Sequence, residues 1–563
     1  MRVALKDGYI AISNMTSQEY NTIREWNLTK YVRSEQALKG IVTLDLLDNL
    51  AQLTRLPPDL ATVRARLHDR DAEIQALRAE PEPTPLYDYP VKRKLFKHQI
   101  RGANMAMVAL TTPYFKHKGF GLLFSMGAGK SLTAIAVAGA LYQQKRISKV
   151  LVVAPTSVCG VWPDELEKGA EFDYAVTVLL GDKQKRLTAL AELDAMPTGL
   201  KVASINYESV WRPEIMRALL RWQPDMIIAD ESQRIKSPSA AQSKAMHALG
   251  DMATYKLILS GTPVQNAAID LWSQYRFLDK KVFGENFYAF RNRYAIMGGF
   301  EKHQIIGYRH LDELIRKEYS VAYRVTKEEA LDLPEQTFEN RYVDLDGKTM
   351  EIYKKLKRDS VAELSSEKKV TASTVLTKLI RLQQLAGGFL TTDDSVVPTH
   401  VHNSKLNALM DIIEDADGKV VVFARFTAEI DLIAETLRKA KIRFGLIDGR
   451  TPMVRKGDKP CRDDIVREFQ EDEGVKVFVA QIQTAGLGIT LHAASVAVFY
   501  SMDYNYANYQ QAAARIHRIG QRNVCTYYHL VARGTVDEKV LRALDAKEDL
   551  AKRVVDNWRE YFE

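Results

Sequence analysis

Cysteine is nearly missing. The 563 residues hold three, Cys159, Cys461 and Cys525, far apart and without a CxxC pair. A disulfide-stapled scaffold and a thiolate zinc site are disfavoured, and a reducing compartment is expected. Long apolar runs are missing too: no stretch reaches the about 20 residues that a spanning helix needs. Asp7 arrives too early for the apolar core of a secretory leader, so neither a leader nor a membrane partner is expected. There is no Cys/His finger, no dimeric coiled-coil reader and no solenoid repeat. His400 and His402 form an i,i+2 pair without further ligands, which reads as loop rather than metal site. Nor is one sign of charge in large excess. The balance of 79 basic to 71 acidic residues is +8, small for this size but leaning toward a polyanion.

What is present is ordinary globular composition, 46% apolar and 27% charged, enough for about three to four domains. Val3 and Leu5, a turn at Asp7-Gly8, then Ile10 and Ile12 predict a hairpin. Thr16 and Glu19 have capping-box spacing, so a helix toward Trp26 follows. Further helices are predicted over Thr43–Leu53 and Asp59–Glu80, the latter with Leu60, Val63, Leu67, Ile74 and Leu77 in phase. Pro81, Pro83 and Pro85 mark a stiff linker. After residue 90 short apolar runs alternate with helical stretches: 121–124, 150–154, 202–205, 226–229 and 257–259. That grammar predicts a mostly parallel sheet with ligands at the strand ends. A long helical region with few strand signals spans about 267–400. The α/β grammar then returns at 419–423, 444–446, 475–479, 496–500 and 527–530. The expected divisions are an N-terminal accessory module (1–86), a first lobe (87–272), helical insertions and linker (273–400), a second lobe (401–534) and C-terminal helices (535–563).

Four segments carry chemistry. Phe124-Ser125-Met126-Gly127-Ala128-Gly129-Lys130-Ser131 follows the first strand. Its small residues let backbone N–H groups face phosphate oxygens, Lys130 can reach the β- and γ-phosphates, and Ser131 can ligate Mg²⁺ at a helix N-terminus. Phe124 stands where the strict phosphate-loop pattern wants glycine. Met226-Ile227-Ile228-Ala229-Asp230-Glu231 delivers two carboxylates, Asp230 suited to Mg²⁺ and Glu231 to polarising water. Alone such a pair is usually a solvated loop; one hundred residues after Lys130 in an α/β pattern it is persuasive. Ser260-Gly261-Thr262-Pro263 is either an ordinary turn or, with Thr262 and Gln265, a relay of phosphate state. Gln99 has the donor and acceptor to read adenine. In the second lobe, 511–521 places Arg515 and Arg518 three apart on one predicted helical face, where both can neutralise charge on a transferred phosphoryl group.

In order, these blocks resemble the Swi/Snf-type ATPases of helicase superfamily two, over about residues 92–545. Val153-Ala154-Pro155-Thr156-Ser157 with Trp162 looks like the family block that carries DNA-backbone contacts. Leu259 to Asn266 with Leu271-Trp272, Thr484-Ala485-Gly486-Leu487-Gly488-Ile489-Thr490-Leu491, 511–521, Val421-Val422-Phe423 and Gly534-Thr535-Val536-Asp537-Glu538 complete the set. The acidic box departs from the family, ending in Ser232-Gln233 rather than a small residue and histidine. Gln233 can hydrogen-bond in the histidine's place. Ala128 replaces a usual leucine, and a paired-arginine element is reduced to Arg324-Val325-Thr326-Lys327.

The resemblance implies an α/β fold of two RecA-like parallel-sheet lobes with intervening helical protrusions and the small N-terminal module. It implies ATP and Mg²⁺ as cofactors, with Met126, Gly127, Ala128, Gly129, Lys130, Ser131, Gln99 and Gly488 at the nucleotide. It also implies ATP-driven translocation on double-stranded DNA. With no chromatin-type appendage in view, the reading is a minimal motor of bacterial, phage or fork-remodelling type, acting in repair, recombination or replication. Double-stranded DNA is its expected partner, with forks or branched junctions among the candidate forms. The working unit is expected to be a monomer, with a protein partner for the N-terminal module. Its expected place is the cytoplasm at the nucleoid, or the nucleus in a eukaryote. The main alternative is a conventional helicase that loads on a single strand and unwinds. An ATP-gated DNA scaffold and an RNA motor are further alternatives. Lys92, Arg93, Lys94, Lys97, Arg101, Lys116 and Lys118, with Lys354, Lys355, Lys357 and Arg358, are candidate phosphate contacts. Tyr504, Tyr506 and Tyr509 read as packing ahead of base stacking.

Overall fold

The computed structural model describes residues 1–551 apart from 7, 27, 113–117, 262–267, 299–303, 331–333, 367–379, 391–397, 453–459, 485–488, 503–505 and 519. The chain forms two compact units, Met1–Thr326 and Lys327–Lys552.

The first unit is built on a seven-stranded sheet whose pairings are all parallel. In spatial order the strands are Ala322–Val325, Lys118–Phe124, Tyr255–Leu259, Met226–Asp230, Lys149–Ala154, Leu200–Asn206 and Tyr174–Val178. The three that lead to the chemical motifs are buried from end to end. They read as continuous apolar runs because helices cover both faces of a parallel sheet. The edge strands do not read that way. Tyr174–Val178 is half-buried throughout, and Ala322–Val325 carries Arg324 within its four residues.

The N-terminal segment has its own core in the same unit. The predicted hairpin is present, Arg2–Lys6 against Tyr9–Ser13, with Val3 opposite Ile12 and Leu5 opposite Ile10. Its turn residue Asp7 lies outside the described residues. The strands Ala37–Ile41 and Thr29–Val32, unread in the sequence, extend the hairpin to a four-stranded antiparallel sheet. Gly40 explains part of the weak signal. A Cβ there would stand 2.5 Å from Leu46 Cδ2 and 2.8 Å from the Leu28 carbonyl, so only glycine fits. Thr16 and Glu19 form the capping box of the helix Ser17–Glu25. The helix Pro58–Ala79 buries the five residues that the periodicity picked out. In its last turn, Arg78 donates to the carbonyls of Tyr319 (2.6 Å) and Ala322 (3.0 Å), tying this segment to the large sheet.

The second unit holds a six-stranded sheet, again parallel in every pairing: Gln336–Val343, Cys525–Ala532, Ala494–Phe499, Lys419–Ala424, Val477–Gln481 and Phe444–Ile447. The stretch 267–400, read as helical with few strand signals, therefore contributes Ala322–Val325 to one sheet and Gln336–Val343 to the other. The latter is a polar, mostly exposed edge strand, so apolar periodicity misses it. Helices Leu271–Leu278, Phe287–Tyr294, Leu311–Tyr319 and Gly347–Ser366 fill much of the rest. A buried ion pair, Lys405 Nζ to Asp537 Oδ2 at 2.6 Å, fastens the root of the helix Val536–Ala551. No helix among the described residues is long and apolar enough to cross a membrane.

Glu318, in the helix Leu311–Tyr319, is fully buried, and neither carboxyl oxygen has a hydrogen-bond partner among the described residues. Burial pushes its carboxyl up to about 8. The folded state then holds a proton that the unfolded chain releases near pH 4.5, so stability falls as pH rises from about 4.5 to 8. Glu318→Gln is expected to flatten that slope. At pH 8 it should raise the melting temperature of this unit by about 2–4 °C, the equivalent of about 1 kcal/mol in a domain of 150–250 residues. Thermal melts of both proteins across pH 5–8 check this.

Candidate nucleotide site

Three neighbouring strands of the first sheet end at one edge. Leu259 pairs with both Leu122 and Asp230, so the turns after Phe124, Asp230 and Leu259 emerge side by side. Each carries one of the motifs.

The loop after Phe124 turns through Gly127 (φ +87°) and Gly129 (φ +81°), values that L side chains rarely adopt. A Cβ built on Gly127 meets nothing within 4 Å, so the loop opens onto free space. One built on Gly129 would lie 2.0 Å from Gln99 Nε2. The Gly129 carbonyl accepts from Gln99 Nε2 (3.3 Å), and that of Ala128 bonds the His98 ring at 2.9 Å. Gln99 Oε1 in turn accepts from the Phe96 amide at 2.8 Å. The Gln99 amide thus caps its own helix with its oxygen and holds the loop with its nitrogen. Met126 stands beside Gly261, its N and Cγ each 3.6 Å from where a Cβ would be. Lys130 and Ser131 open the helix Lys130–Gln143, and Lys130 Nζ donates to the Phe124 carbonyl at 3.0 Å.

Asp230 closes its strand and is buried. Its Oδ1 accepts from the Glu231 amide (3.0 Å), its Oδ2 from the Trp162 indole N–H (3.1 Å), and its carbonyl from the Tyr207 hydroxyl (2.9 Å). Burial raises its carboxyl far above the usual carboxylate range. The neighbouring Glu231 adds to the rise, and the Lys130 ammonium opposes it. Glu231 adopts a left-handed backbone (φ +51°), unusual for a non-glycine residue. Its Oε2 accepts from Gln233 Nε2 at 2.5 Å, while Gln233 Oε1 accepts from the Ser260 hydroxyl at 2.8 Å. Gln233 thus hydrogen-bonds on both sides, joining the acidic pair to the third turn. Arg324, the sole arginine of its strand, donates to the carbonyls of Gly261 (2.8 Å) and Leu123 (3.3 Å), and so ties the third turn to the strand that leads into the first.

The structure therefore brings Gln99, Met126, Gly127, Ala128, Gly129, Lys130, Ser131, Asp230 and Glu231 to one edge of the first unit. Gln265, Thr262 and Gly488 lie outside the described residues. Arg515 and Arg518 belong to the second unit, and they do not share a helical face. The helix there is Tyr506–Ala513 and stops short of both. Tertiary bonds take over from helical ones at that point. The Tyr527 hydroxyl donates to the Ala513 carbonyl at 2.7 Å, the Leu491 amide to the Arg515 carbonyl at 2.9 Å, and Arg518 to the Ile489 carbonyl (3.1 Å) and Thr490 hydroxyl (2.9 Å). Tyr506 and Tyr509 pack, Tyr509 against Phe499 and bonded to His529 at 3.0 Å; Tyr504 lies outside the described residues. His402 is held by the Leu385 carbonyl at 2.8 Å, and no cluster of three or more His, Cys, Asp or Glu side chains placed to hold a metal ion occurs among the described residues.

The basic segment 91–120 divides. Lys118 is buried, Arg101 is bonded to the Glu80 carbonyl and the Tyr323 hydroxyl, Lys92 to the Glu167 carbonyl, and Lys97 pairs with Glu82. Arg93 and Lys94 are exposed, as are Lys354, Lys355, Lys357 and Arg358. Lys116 lies outside the described residues. Sequence reading missed the Trp162–Asp230 bond, the Tyr207 contact and the His98 contact. Arg324 left a legible signal, as a lone charge in an apolar tetrapeptide.

A glycine-turned loop ahead of a helix, a buried aspartate beside a half-buried glutamate, and a serine turn on adjacent parallel strands form a candidate nucleotide-phosphate site. The comparisons agree. The SNF2-related domain matches residues 91–387, and the helicase conserved C-terminal domain matches 404–520. The chain belongs to the SNF2-related family, and ATP use comes with that membership. It is 27% identical over 439 residues to an uncharacterized ATP-dependent helicase of Mycoplasma genitalium, covering 76% of this chain and 40% of that one. It is 26% identical over 567 residues to the TATA-binding protein-associated factor mot1 of Aspergillus fumigatus, covering 89% and 29%. It is 25% identical over 500 residues to the SWI/SNF-related matrix-associated actin-dependent regulator of chromatin subfamily A member 1 of Mus musculus, covering 86% and 45%. The chain thus spans less than half the length of these relatives. A solved Sulfolobus solfataricus SWI2/SNF2 ATPase core in complex with dsDNA is 25% identical, with a TM-score of 0.39, covering 84% of this chain and 95% of that one.

The Gln233 bridge makes a direct prediction. Gln233→Ala leaves the Glu231 carboxylate without its amide donor, a charge-assisted bond worth about 1.5–3 kcal/mol. ATP turnover should fall about 10–100-fold with KM for ATP changed less than about threefold. Steady-state kinetics of the variant check this.

Proposed function

We propose that the chain is an ATP-dependent translocase on double-stranded DNA that remodels DNA structures or protein–DNA complexes in repair, recombination or replication. The observation that carries the reading is the convergence of Lys130, Ser131, Asp230 and Glu231 at one sheet edge, with Glu231 bridged through Gln233 to Ser260. A hydrolytic site wired to a neighbouring turn is what a motor needs. The names of its relatives, a TATA-binding protein-associated factor and a regulator of chromatin, support a DNA substrate.

In this reading the loop 125–131 and Gln99 hold the nucleotide, and Gly488 and Gln265 belong to the same machinery. Ser131 and Asp230 would hold Mg²⁺; hydroxyl and carboxylate are the hard oxygen donors that this cation takes. When bound, it neutralises charge on the phosphates. Glu231 is assigned to orienting the attacking water, and Arg515 and Arg518 to charge on the transferred phosphoryl group. Exposed Arg93, Lys94, Lys354, Lys355, Lys357 and Arg358 are the phosphate-backbone contacts we assign. Residues 1–86 form an accessory module, with recognition of a DNA structure, recruitment of a partner and restraint of the motor until DNA arrives as its three candidate roles. The first lobe is 87–272 together with the strand Ala322–Val325, and the second is 401–534 together with the strand Gln336–Val343; the helical insertions lie in the rest of 273–400, and the C-terminal helices begin at 535, with 552–563 outside the described residues. The working unit is a monomer located with the nucleoid.

The test is steady-state ATP hydrolysis at one fixed salt concentration with no nucleic acid, single-stranded DNA, linear duplex, a fork, a four-way junction and duplex RNA. Glu231→Gln serves as the inactive control. Duplex DNA is expected to stimulate turnover, with forks or junctions adding to it. Activation should weaken as salt rises, because phosphate contacts release counterions. Stimulation by single strands alone would favour the unwinding helicase, and equal rates with and without nucleic acid would remove DNA from the reading.

A further inference from the structure

Trp162 enters the sequence as the end of a block after the second apolar run, one that resembles a carrier of DNA-backbone contacts. In the structure its ring is buried and its N–H reaches Asp230 Oδ2 at 3.1 Å. Asp230 Oδ1 meanwhile takes the Glu231 amide at 3.0 Å, and the Asp230 carbonyl takes the Tyr207 hydroxyl at 2.9 Å. One N–H on each carboxylate oxygen fixes the rotation of the group, and the tyrosine fixes the peptide that bears it. An ionised carboxylate has about four acceptor positions. Two are taken, and two remain for other partners.

The support of the indole is itself tied to the phosphate loop. Trp162 opens the helix Trp162–Gly169. That helix meets the one beginning at Lys130 so closely that a Cβ on Gly169 would stand 3.1 Å from Leu132 Cδ1. The helix presenting Lys130 and Ser131 therefore also packs against the helix presenting the indole. Phosphate loop and carboxylate are held in one frame.

We infer that Trp162 is a positioning residue for divalent-cation binding. Its N–H holds the Asp230 carboxylate in the rotation that points its remaining acceptor positions at a cation shared with Ser131. The inference rests on the assignment of Asp230 as the cation-facing carboxylate. A residue that acts through a metal-facing group in this way typically contributes about 10–100-fold in metal affinity or activity.

The experiment uses the full chain and Trp162→Phe, which removes the N–H and keeps a ring. Mn²⁺ binding in the presence of a non-hydrolysable ATP analogue is followed by electron paramagnetic resonance. Binding of the analogue in EDTA, the melting temperature, kcat and KM are measured alongside. Trp162→Phe is expected to weaken Mn²⁺ about tenfold or more and to lower kcat, with analogue affinity in EDTA unchanged within about twofold. Trp162→His, which retains a ring N–H, should recover part of the Mn²⁺ affinity. If Trp162→Phe does not fold, a benzothiophene analogue of tryptophan at this position, with sulfur for N–H in the same shape, carries the same expectation. Mn²⁺ affinity and kcat equal to those of the unaltered protein would overturn the inference and leave Trp162 as packing alone. If the unaltered protein itself shows no analogue-dependent Mn²⁺ binding, the assignment of Asp230 fails instead, and the two failures are told apart.

Discussion

A carboxylate at the end of a buried strand is costly, and the first unit is organised around that cost. Asp230 sits on a strand with no exposed residue, where an unpaired charge is penalised by several kcal/mol or more. Its neighbours meet the penalty with directed donors rather than with a single ion pair. An amide, an indole and a nearby ammonium all face it. Each comes from a different segment, so the loop after Phe124, the helix at Trp162 and the turn at Glu231 are located by one group. The parallel sheet makes this economical, because adjacent strands end at the same edge and their turns need not travel to meet.

The same edge concentrates backbone strain. Gly127, Gly129 and Glu231 all have positive φ, two of them glycines to which such angles cost little. Glu231 is the exception, and for a side chain of its size the conformation persists only under compensation. Its amide is bonded to Asp230 and its carboxylate to Gln233. The strain is thus over-determined by contacts that also aim the carboxylate.

Much of this was legible in the sequence, for a physical reason. Fully buried parallel strands must be apolar throughout, so 121–124, 226–229 and 257–259 announce themselves, and the residues just after them are where ligands gather. The order of the blocks carried the family. The edge strands did not announce themselves: Tyr174–Val178 is half-exposed, Ala322–Val325 contains Arg324, and Gln336–Val343 is polar. Contacts between segments distant in sequence were equally hidden. Trp162 and Asp230 are 68 residues apart, and no local pattern records that bond. The helix expected to carry Arg515 and Arg518 ended early because Tyr527, on a strand that follows it, takes the carbonyl that a further turn would use.

The bridge between Glu231 and Ser260 has a direction. The serine donates to the amide oxygen, and the amide nitrogen donates to the carboxylate. Turning the amide over would set oxygen against carboxylate and nitrogen against a hydroxyl that must then reverse. One orientation is therefore strongly preferred. An imidazole at the same place could gain or lose a proton and change its donor pattern within the physiological pH range. A carboxamide cannot. The link that this chain has built is a fixed dipole, and the amide itself transmits only displacement: whatever moves the serine turn moves the carboxylate.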